Sequence, residues 1–98
     1  MGSFQDIVNG EVPTLVDFFA TWCGPCKAMQ PVLDQLKNDM GEKVRIVKID
    51  VDKNPQAADK FKVRGVPTFV LFKSGEIMWR QSGGMSLQTL KSEITPHI

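Results

Sequence analysis

The sequence predicts an α/β domain in which helices alternate with the strands of one mixed sheet. Runs of β-branched and aromatic residues alternate with stretches whose apolar residues recur at helical spacing. A hairpin signal near the C-terminus adds an antiparallel part to an otherwise parallel sheet. The chain has 98 residues, enough for one core but too few for two, so we expect residues 1–98 to form a single domain.

The first half of the chain predicts a short helix, a strand and a longer helix. Residues 3–9 favour a helix capped by Ser3. Residues 14–20 are typical of a strand that is buried on both faces. The following helix should be kinked by Pro31 and ended by Gly41. Its core-facing stripe consists of Met29, Val32, Leu33, Leu36 and Met40.

The second half predicts the remaining three strands and two helices. Residues 44–49 form a strand, and residues 54–61 form a short helix with Asn54 as its cap. Residues 68–72 and 77–81 form two strands joined by the turn sequence Lys-Ser-Gly-Glu. The last helix presents an apolar stripe made of Leu87, Leu90 and Ile94.

The composition is that of an ordinary globular protein and excludes several classes of partner. Hydrophobic residues make up 42% of the chain, and the net charge is +1, with acidic and basic residues mixed along it. We therefore expect no nucleic-acid partner. No apolar run approaches the roughly 18 residues that span a bilayer, so we expect no membrane partner. The N-terminus lacks the pattern of a secretory signal, which favours a cytoplasmic location.

The two cysteines of the chain, Cys23 and Cys26, lie at the junction of a predicted strand and helix. Three residues of helix separate two Cα atoms by about 5 Å, and disulfides accept about 4.4–6.8 Å. Cys23 would lie at the helix N-terminus, where unpaired N–H groups and the helix dipole favour a thiolate. Cys26 would lie one turn inside and face the protein. We therefore expect an exposed attacking thiol at Cys23 and a shielded resolving thiol at Cys26.

Other uses of the cysteine pair fit the sequence less well. A structural disulfide would close a loop of only four residues and would restrict the unfolded chain very little. A metal site needs about four ligands, whereas the chain offers two cysteines and the remote His97, so we expect no metal. A hydrolytic cysteine needs a histidine partner, and His97 lies in the C-terminal tail. Redox exchange is the favoured interpretation.

Five segments resemble the thioredoxin family and follow its order and spacing. They are Val-Asp-Phe-Phe-Ala at 16–20, Trp-Cys-Gly-Pro-Cys-Lys at 22–27, Lys-Ile-Asp-Val-Asp at 48–52, Gly-Val-Pro-Thr at 65–68 and Gly83. The Trp-Cys-Gly-Pro-Cys-Lys segment with a downstream Val-Pro-Thr is highly specific. The resemblance implies a thioredoxin-like fold, with a central mixed four-stranded sheet flanked by helices on both faces.

The resemblance also implies a protein dithiol–disulfide oxidoreductase that reduces disulfides in client proteins. Cys23 would attack the client disulfide, Cys26 would displace the reduced client, and a thioredoxin reductase would reopen the Cys23–Cys26 disulfide. No cofactor is expected, because the electrons come from the protein's own sulfurs. Gly24 and Pro25 favour a reducing potential by analogy with relatives. We expect the chain to be a monomer. Two alternatives stay open: an exported oxidant or isomerase, and a non-catalytic subunit of a larger complex.

Asp17 is an anomaly on physical grounds. A carboxylate between Val16 and Phe18, in a strand buried on both faces, is costly unless it is neutralised or paired. Burial should raise its pKa, which suits a proton shuttle. The resemblance implies that Asp17 accepts the proton of Cys26. Lys48 is a candidate countercharge for Asp17, although a lysine exposed near a strand end is nearly as plausible.

The resemblance also implies a client-binding surface around the cysteines. In the family the proline that matches Pro67 follows a cis peptide bond and faces the cysteines. A cis Val66–Pro67 bond would leave the Val66 backbone free to pair with an extended client segment. The expected surface consists of Trp22, Gly24, Pro25, Val66, Pro67 and Gly83.

The chain departs from the family at two places. Phe19 stands where many members carry a second tryptophan, which should affect packing more than redox chemistry. Typical members also have a strand before the first helix, and only about a dozen residues precede the strand at 14–20. Without that first strand, residues 44–49 would form an edge of the sheet. Arg45 and Lys48, the N-terminal residues or a second chain would then protect the edge from unwanted pairing.

Overall fold

The computed structural model describes residues 4–98, in which five α-helices and four strands follow one another. The first half contains α1 (Phe4–Val8), β1 (Thr14–Phe19), α2 (Gly24–Ala28), α3 (Gln30–Met40) and β2 (Arg45–Asp50). The second half contains α4 (Pro55–Lys60), β3 (Thr68–Lys73), β4 (Glu76–Ser82) and α5 (Leu87–Ile94). Each predicted strand is present, with bounds within a residue or so of the expected ones.

The four strands form one mixed sheet in the order β2-β1-β3-β4. β1 pairs in parallel with β2 and antiparallel with β3, and β3 pairs antiparallel with β4. The tight turn between β3 and β4 places Ser74 and Gly75 at positive φ, as a two-residue hairpin requires. Within residues 4–98, no fifth strand lies beside β2. The prediction that this strand forms an edge of a four-stranded sheet is therefore confirmed.

Helices cover both faces of the sheet. On one face, Leu15 and Phe69 pack against the buried leucines Leu33, from α3, and Leu90, from α5. On the other face, Val16, Phe18, Val70 and Phe72 pack against α1 and α4, from which Phe4, Val8 and Ala57 contribute side chains. Because residues alternate between faces along a strand, β1 supplies apolar side chains to both layers. The predicted fold class is confirmed.

Three details of the expected elements need comment. The long helix is not merely kinked at Pro31 but divides at Met29 into α2 and α3, with Pro31 in the first turn of α3. Asn54 lies at the N-terminus of α4 but makes no side-chain cap, since its amide donates instead to the Asp50 carbonyl oxygen at 3.0 Å. Asn54 is therefore the N-cap residue of α4, as expected, but its side chain makes no capping hydrogen bond. The expected cap Ser3 lies outside the described residues.

Candidate active site

The cysteine pair lies where the chain leaves the sheet and enters α2. Cys23 is the N-cap residue of α2, in an extended conformation, and Pro25 lies in the first turn, where the helix needs no N–H from it. Cys23 and Cys26 form a disulfide, and their Cα atoms are 5.2 Å apart. The backbone N–H of Cys26 donates to Cys23 Sγ at an N···S distance of 3.1 Å. Cys23 Sγ is therefore held by a helix N-terminus, as its position in the sequence predicts.

Both cysteines are buried in this disulfide form. Cys23 is 4% exposed and Cys26 is 2% exposed, so the expected contrast between an exposed and a shielded sulfur is wrong for the closed disulfide. Apolar neighbours cover the pair: Phe19, Ala20, Val51 and Val66. The adjoining Trp22 is 69% exposed. Residues 22, 24 and 25 thus surround the covered disulfide with accessible surface.

A second loop brings Val66 and Pro67 against the disulfide. The Val66–Pro67 peptide bond is cis, as expected. The Val66 carbonyl oxygen lies 3.6 Å from Cys23 Sγ. The N–H of Gly83 donates to the Pro67 carbonyl oxygen at 2.8 Å, and the φ of Gly83 is +94°, a conformation that favours glycine. Residues 66, 67 and 83, which are far apart in the sequence, therefore meet beside the cysteines.

Trp22 has a partner that the sequence alone did not single out. Its indole Nε1 donates to Asp52 Oδ2 at 2.9 Å. Asp52 follows β2, whose carboxyl end lies beside that of β1 because the two strands are parallel. The parallel pairing of β1 and β2, together with the acidic residue that ends the 48–52 segment, could have predicted this contact between Trp22 and Asp52. The bond fixes the edge of an exposed indole ring next to Cys23.

Asp17 lies in the second half of β1 and is fully buried. Neither carboxylate oxygen has a hydrogen-bond partner within residues 4–98. Asp17 occupies the same face of β1 as Leu15, which packs with Met29 and Leu33, so its carboxyl group points to the helical layer that carries Cys26. Burial raises the pKa of Asp17 to about 6, and the charge of Lys48 opposes part of that rise. The expected buried carboxyl group with a raised pKa is present.

Lys48 is the cross-strand neighbour of Asp17. The two residues are paired in register between β1 and β2. The Lys48 side chain is exposed, and its Nζ lies 5.8 Å from the centre of the Phe19 ring. Lys48 therefore acts on Asp17 through its charge and from the solvent side. The structure thus places this lysine at an exposed position on the edge strand, in register with Asp17.

Comparison with known proteins agrees with this geometry. The family model described as Thioredoxin matches residues 1–96. This chain belongs to the thioredoxin family. It is 44% identical over 92 residues to a thioredoxin from Haemophilus influenzae, covering 94% of this chain and 86% of that protein. It is also 44% identical over 93 residues to thioredoxin Y1, chloroplastic, from Arabidopsis thaliana, covering 94% of this chain.

The structural likeness to thioredoxins is equally broad. The crystal structure of mitochondrial thioredoxin 3 from Saccharomyces cerevisiae, in its oxidized form, superposes with a TM-score of 0.86 at 39% identity. That match covers 95% of this chain and 86% of the yeast chain. The chain spans 54% of the length of the Arabidopsis protein. With its Cys-Gly-Pro-Cys disulfide, this thioredoxin-family chain is a dithiol–disulfide oxidoreductase.

These relatives do not fix a compartment, because they include a chloroplastic and a mitochondrial thioredoxin. Among the helices of residues 4–98, none combines the length and the hydrophobicity that crossing a membrane requires.

Proposed function

We propose that this chain reduces disulfides in client proteins, with Cys23 as the attacking thiol and Cys26 as the resolving thiol. The observation that carries the proposal is the N–H of Cys26 donating to Cys23 Sγ at the start of α2. Once the disulfide is open, that N–H and the helix N-terminus favour negative charge on Cys23 Sγ over Cys26 Sγ. Cys23 is therefore the better nucleophile of the two.

The proposed reaction consists of two thiol–disulfide exchanges. The Cys23 thiolate attacks one sulfur of the client disulfide, forms a mixed disulfide and releases the other client sulfur as a thiolate. The Cys26 thiol then loses its proton and attacks Cys23 Sγ, which releases the second client sulfur and closes the Cys23–Cys26 disulfide. Two electrons pass to the client. The exchange itself needs no bound cofactor, since both electrons come from the two thiols.

Asp17 is the proposed acceptor of the Cys26 proton. A pKa of about 6 allows this carboxyl group to be ionised at neutral pH and still take up a proton readily. Its lack of a hydrogen-bond partner within residues 4–98 leaves both oxygens available to a thiol or to a bridging water. Lys48 is the proposed countercharge, because it favours the ionised state from which Asp17 acts.

The proposed client surface consists of residues close to the disulfide in space or in sequence: Trp22, Gly24, Pro25, Val66, Pro67 and Gly83. Trp22 supplies exposed aromatic area, and a Cβ on Gly24 would have no atom within 4 Å, so this side is open to a client. The Val66 carbonyl beside Cys23 Sγ is suitably placed to pair with an extended client segment.

The domain organisation, oligomeric state, electron donor and location of the chain are also part of the proposal. We propose that residues 1–98 act as one domain and that the chain works as a monomer, because one chain supplies every residue of the proposed site. A thioredoxin reductase is the proposed electron donor, and the cytoplasm is the proposed location. The Gly-Pro pair between the cysteines supports a reducing rather than an oxidising role by analogy.

Replacing the resolving cysteine tests the assigned roles. The Cys26→Ser variant should form the mixed disulfide with a client such as insulin and then stop, so non-reducing electrophoresis should show a stable adduct. The matched Cys23→Ser variant, which lacks the attacking thiol, should form much less adduct. Equal adduct in the two variants, or adduct on Cys23→Ser alone, would contradict the proposed roles. A reduction potential well above that of cytosolic glutathione would instead favour an oxidant.

A further inference from the structure

The loop of residues 83–86, between β4 and α5, extends the proposed client surface beyond Gly83. Its first residue is tied to Pro67 by the hydrogen bond from Gly83 N–H to the Pro67 carbonyl oxygen. Gly83 and Gly84 are exposed, whereas Met85 is half-buried. The position of this loop therefore decides how much room a client segment has beside Val66 and Pro67.

A methionine at the end of the active-site helix α2 contacts the 83–86 loop. Met29 lies between α2 and α3 and is only 3% exposed. Its backbone N–H donates to the carbonyl oxygens of Pro25 and Cys26, each at 3.2 Å. Met29 is thus bonded directly to the helical turn that carries the cysteine pair.

The thioether of Met29 makes a hydrogen bond with the backbone of the loop. Its Sδ accepts the backbone N–H of Met85 at an N···S distance of 3.4 Å. A Cβ built on Gly84 would lie 3.7 Å from the same Sδ, so the sulfur also lies beside Gly84. A leucine would fill a similar volume but has no acceptor, which would leave a half-buried N–H without this bond.

We propose that Met29 is a positioning residue, which anchors the 83–86 loop to the active-site helix and thereby sets the affinity for protein clients. Hydrogen bonds at both ends of the loop support this role: Gly83 to Pro67, and Met85 to Met29. The anchor keeps the two walls of the client surface, the loop and the cysteine turn, at a fixed separation. The inference rests on the client surface proposed above.

The test compares Met29→Leu with Met40→Leu. Met40 packs against the same core at the other end of α3, so its exchange controls for the general effect of replacing a core methionine. Pre-reduced chain is mixed with excess insulin at several concentrations, and chain oxidation is followed in a single turnover. Met29→Leu should raise the half-saturating insulin concentration about threefold to tenfold, the cost of one lost hydrogen bond. The limiting rate should change much less, and Met40→Leu should alter neither quantity.

Amide hydrogen exchange at Met85 tests the anchor without any client. Met29→Leu should speed this exchange, and Met40→Leu should not. Unchanged Met85 exchange in Met29→Leu, or equal effects of the two variants on insulin saturation, would overturn the inference. A fall in limiting rate as large as the rise in half-saturation would also overturn it, since that pattern indicates a loosened cysteine pair. If the unmodified chain does not reduce insulin, both the proposed function and the proposed role of Met29 in client binding are wrong. Amide exchange at Met85 still decides, in that case, whether Met29 anchors the loop.

Discussion

Two polar residues of β1, Thr14 and Asp17, are equally buried but bonded in opposite ways. Both are 0% exposed. The Thr14 hydroxyl, at the start of the strand, donates to the Ile7 carbonyl oxygen at 3.3 Å and so joins α1 to the sheet. Neither oxygen of Asp17, near the end that leads to the cysteines, has a partner among residues 4–98. The strand thus has a structural end, where the buried hydroxyl group is bonded, and a proposed reactive end, where the buried carboxyl group has no such bond among residues 4–98.

Burial of the Asp17 carboxylate at this end of β1 should lower the stability of the folded chain at neutral pH. The pKa of Asp17 is about 6 in the folded chain, against an ordinary value of 3.8. Two pKa units correspond to about 3 kcal/mol of unfavourable free energy for the ionised form. The folded chain therefore binds more protons than the unfolded chain between about pH 4 and pH 6. Its stability should fall as pH rises through that window and then stay level, because above it both states are ionised.

The largest expected effect comes from replacing Asp17 with an amide. Asp17→Asn mimics the neutral carboxyl group, so the disulfide form should gain about 3 kcal/mol of unfolding free energy near pH 8. The gain should shrink to nearly nothing below about pH 4, where Asp17 is protonated in both states. Urea unfolding at several pH values measures this. A gain of the same size at every pH would show that burial of the charge is not its cause.

A smaller effect of opposite sign is expected at the structural end. Thr14→Val keeps the shape of the side chain but removes its hydrogen bond to Ile7, so it should lower stability by about 1 kcal/mol. The loss should not depend on pH between about pH 4 and pH 8, since neither side chain titrates. The same unfolding experiment checks it. An unchanged free energy of unfolding in Thr14→Val would show that the Thr14 hydrogen bond does not stabilise the chain, and would contradict the contrast between the two ends of β1.

The smallest effect concerns the charge opposite Asp17. Because Lys48 lowers the pKa of Asp17, Lys48→Met should raise that pKa above about 6. Lys53→Met, which removes an equal charge from the turn after β2, is the matched control. Titration of the Asp17 carboxyl carbon by NMR measures both variants. Equal shifts would mean that net charge, rather than the paired position of Lys48, sets the ionisation of Asp17.

Much of the fold was predictable because the signals were local. Strand and helix periods predicted the elements. That β2 forms an edge was implied by the resemblance to the thioredoxin family, whose first strand has no counterpart among the few residues before β1. The apolar residues around Asp17 were enough to predict a buried carboxyl group with a raised pKa. The cysteine spacing predicted a Cα separation of about 5 Å, and the observed separation is 5.2 Å.

What the sequence did not predict depends on contacts between distant segments or on competition for hydrogen bonds. Met29 was assigned to a core stripe, but its bond to Met85 forms only when the chain brings α2 under the loop before α5. Cys23 is covered because Val66 and Val51 fold over it. The Asn54 side chain makes no capping hydrogen bond to α4, and its amide donates to the Asp50 carbonyl oxygen. These outcomes depend on tertiary packing and not on local propensity.

The central claim is that Asp17, whose carboxylate has no hydrogen-bond partner among residues 4–98, takes the proton of Cys26. The most direct test measures the two exchange steps separately, with and without Asp17→Asn. Attack by Cys23 is followed as adduct formation in the Cys26→Ser background, and client release is followed in a single turnover with both cysteines present. The account predicts that Asp17→Asn slows release by about a hundredfold, the range of a lost general base, with little change in attack. Equal slowing of both steps, or of neither, would contradict it.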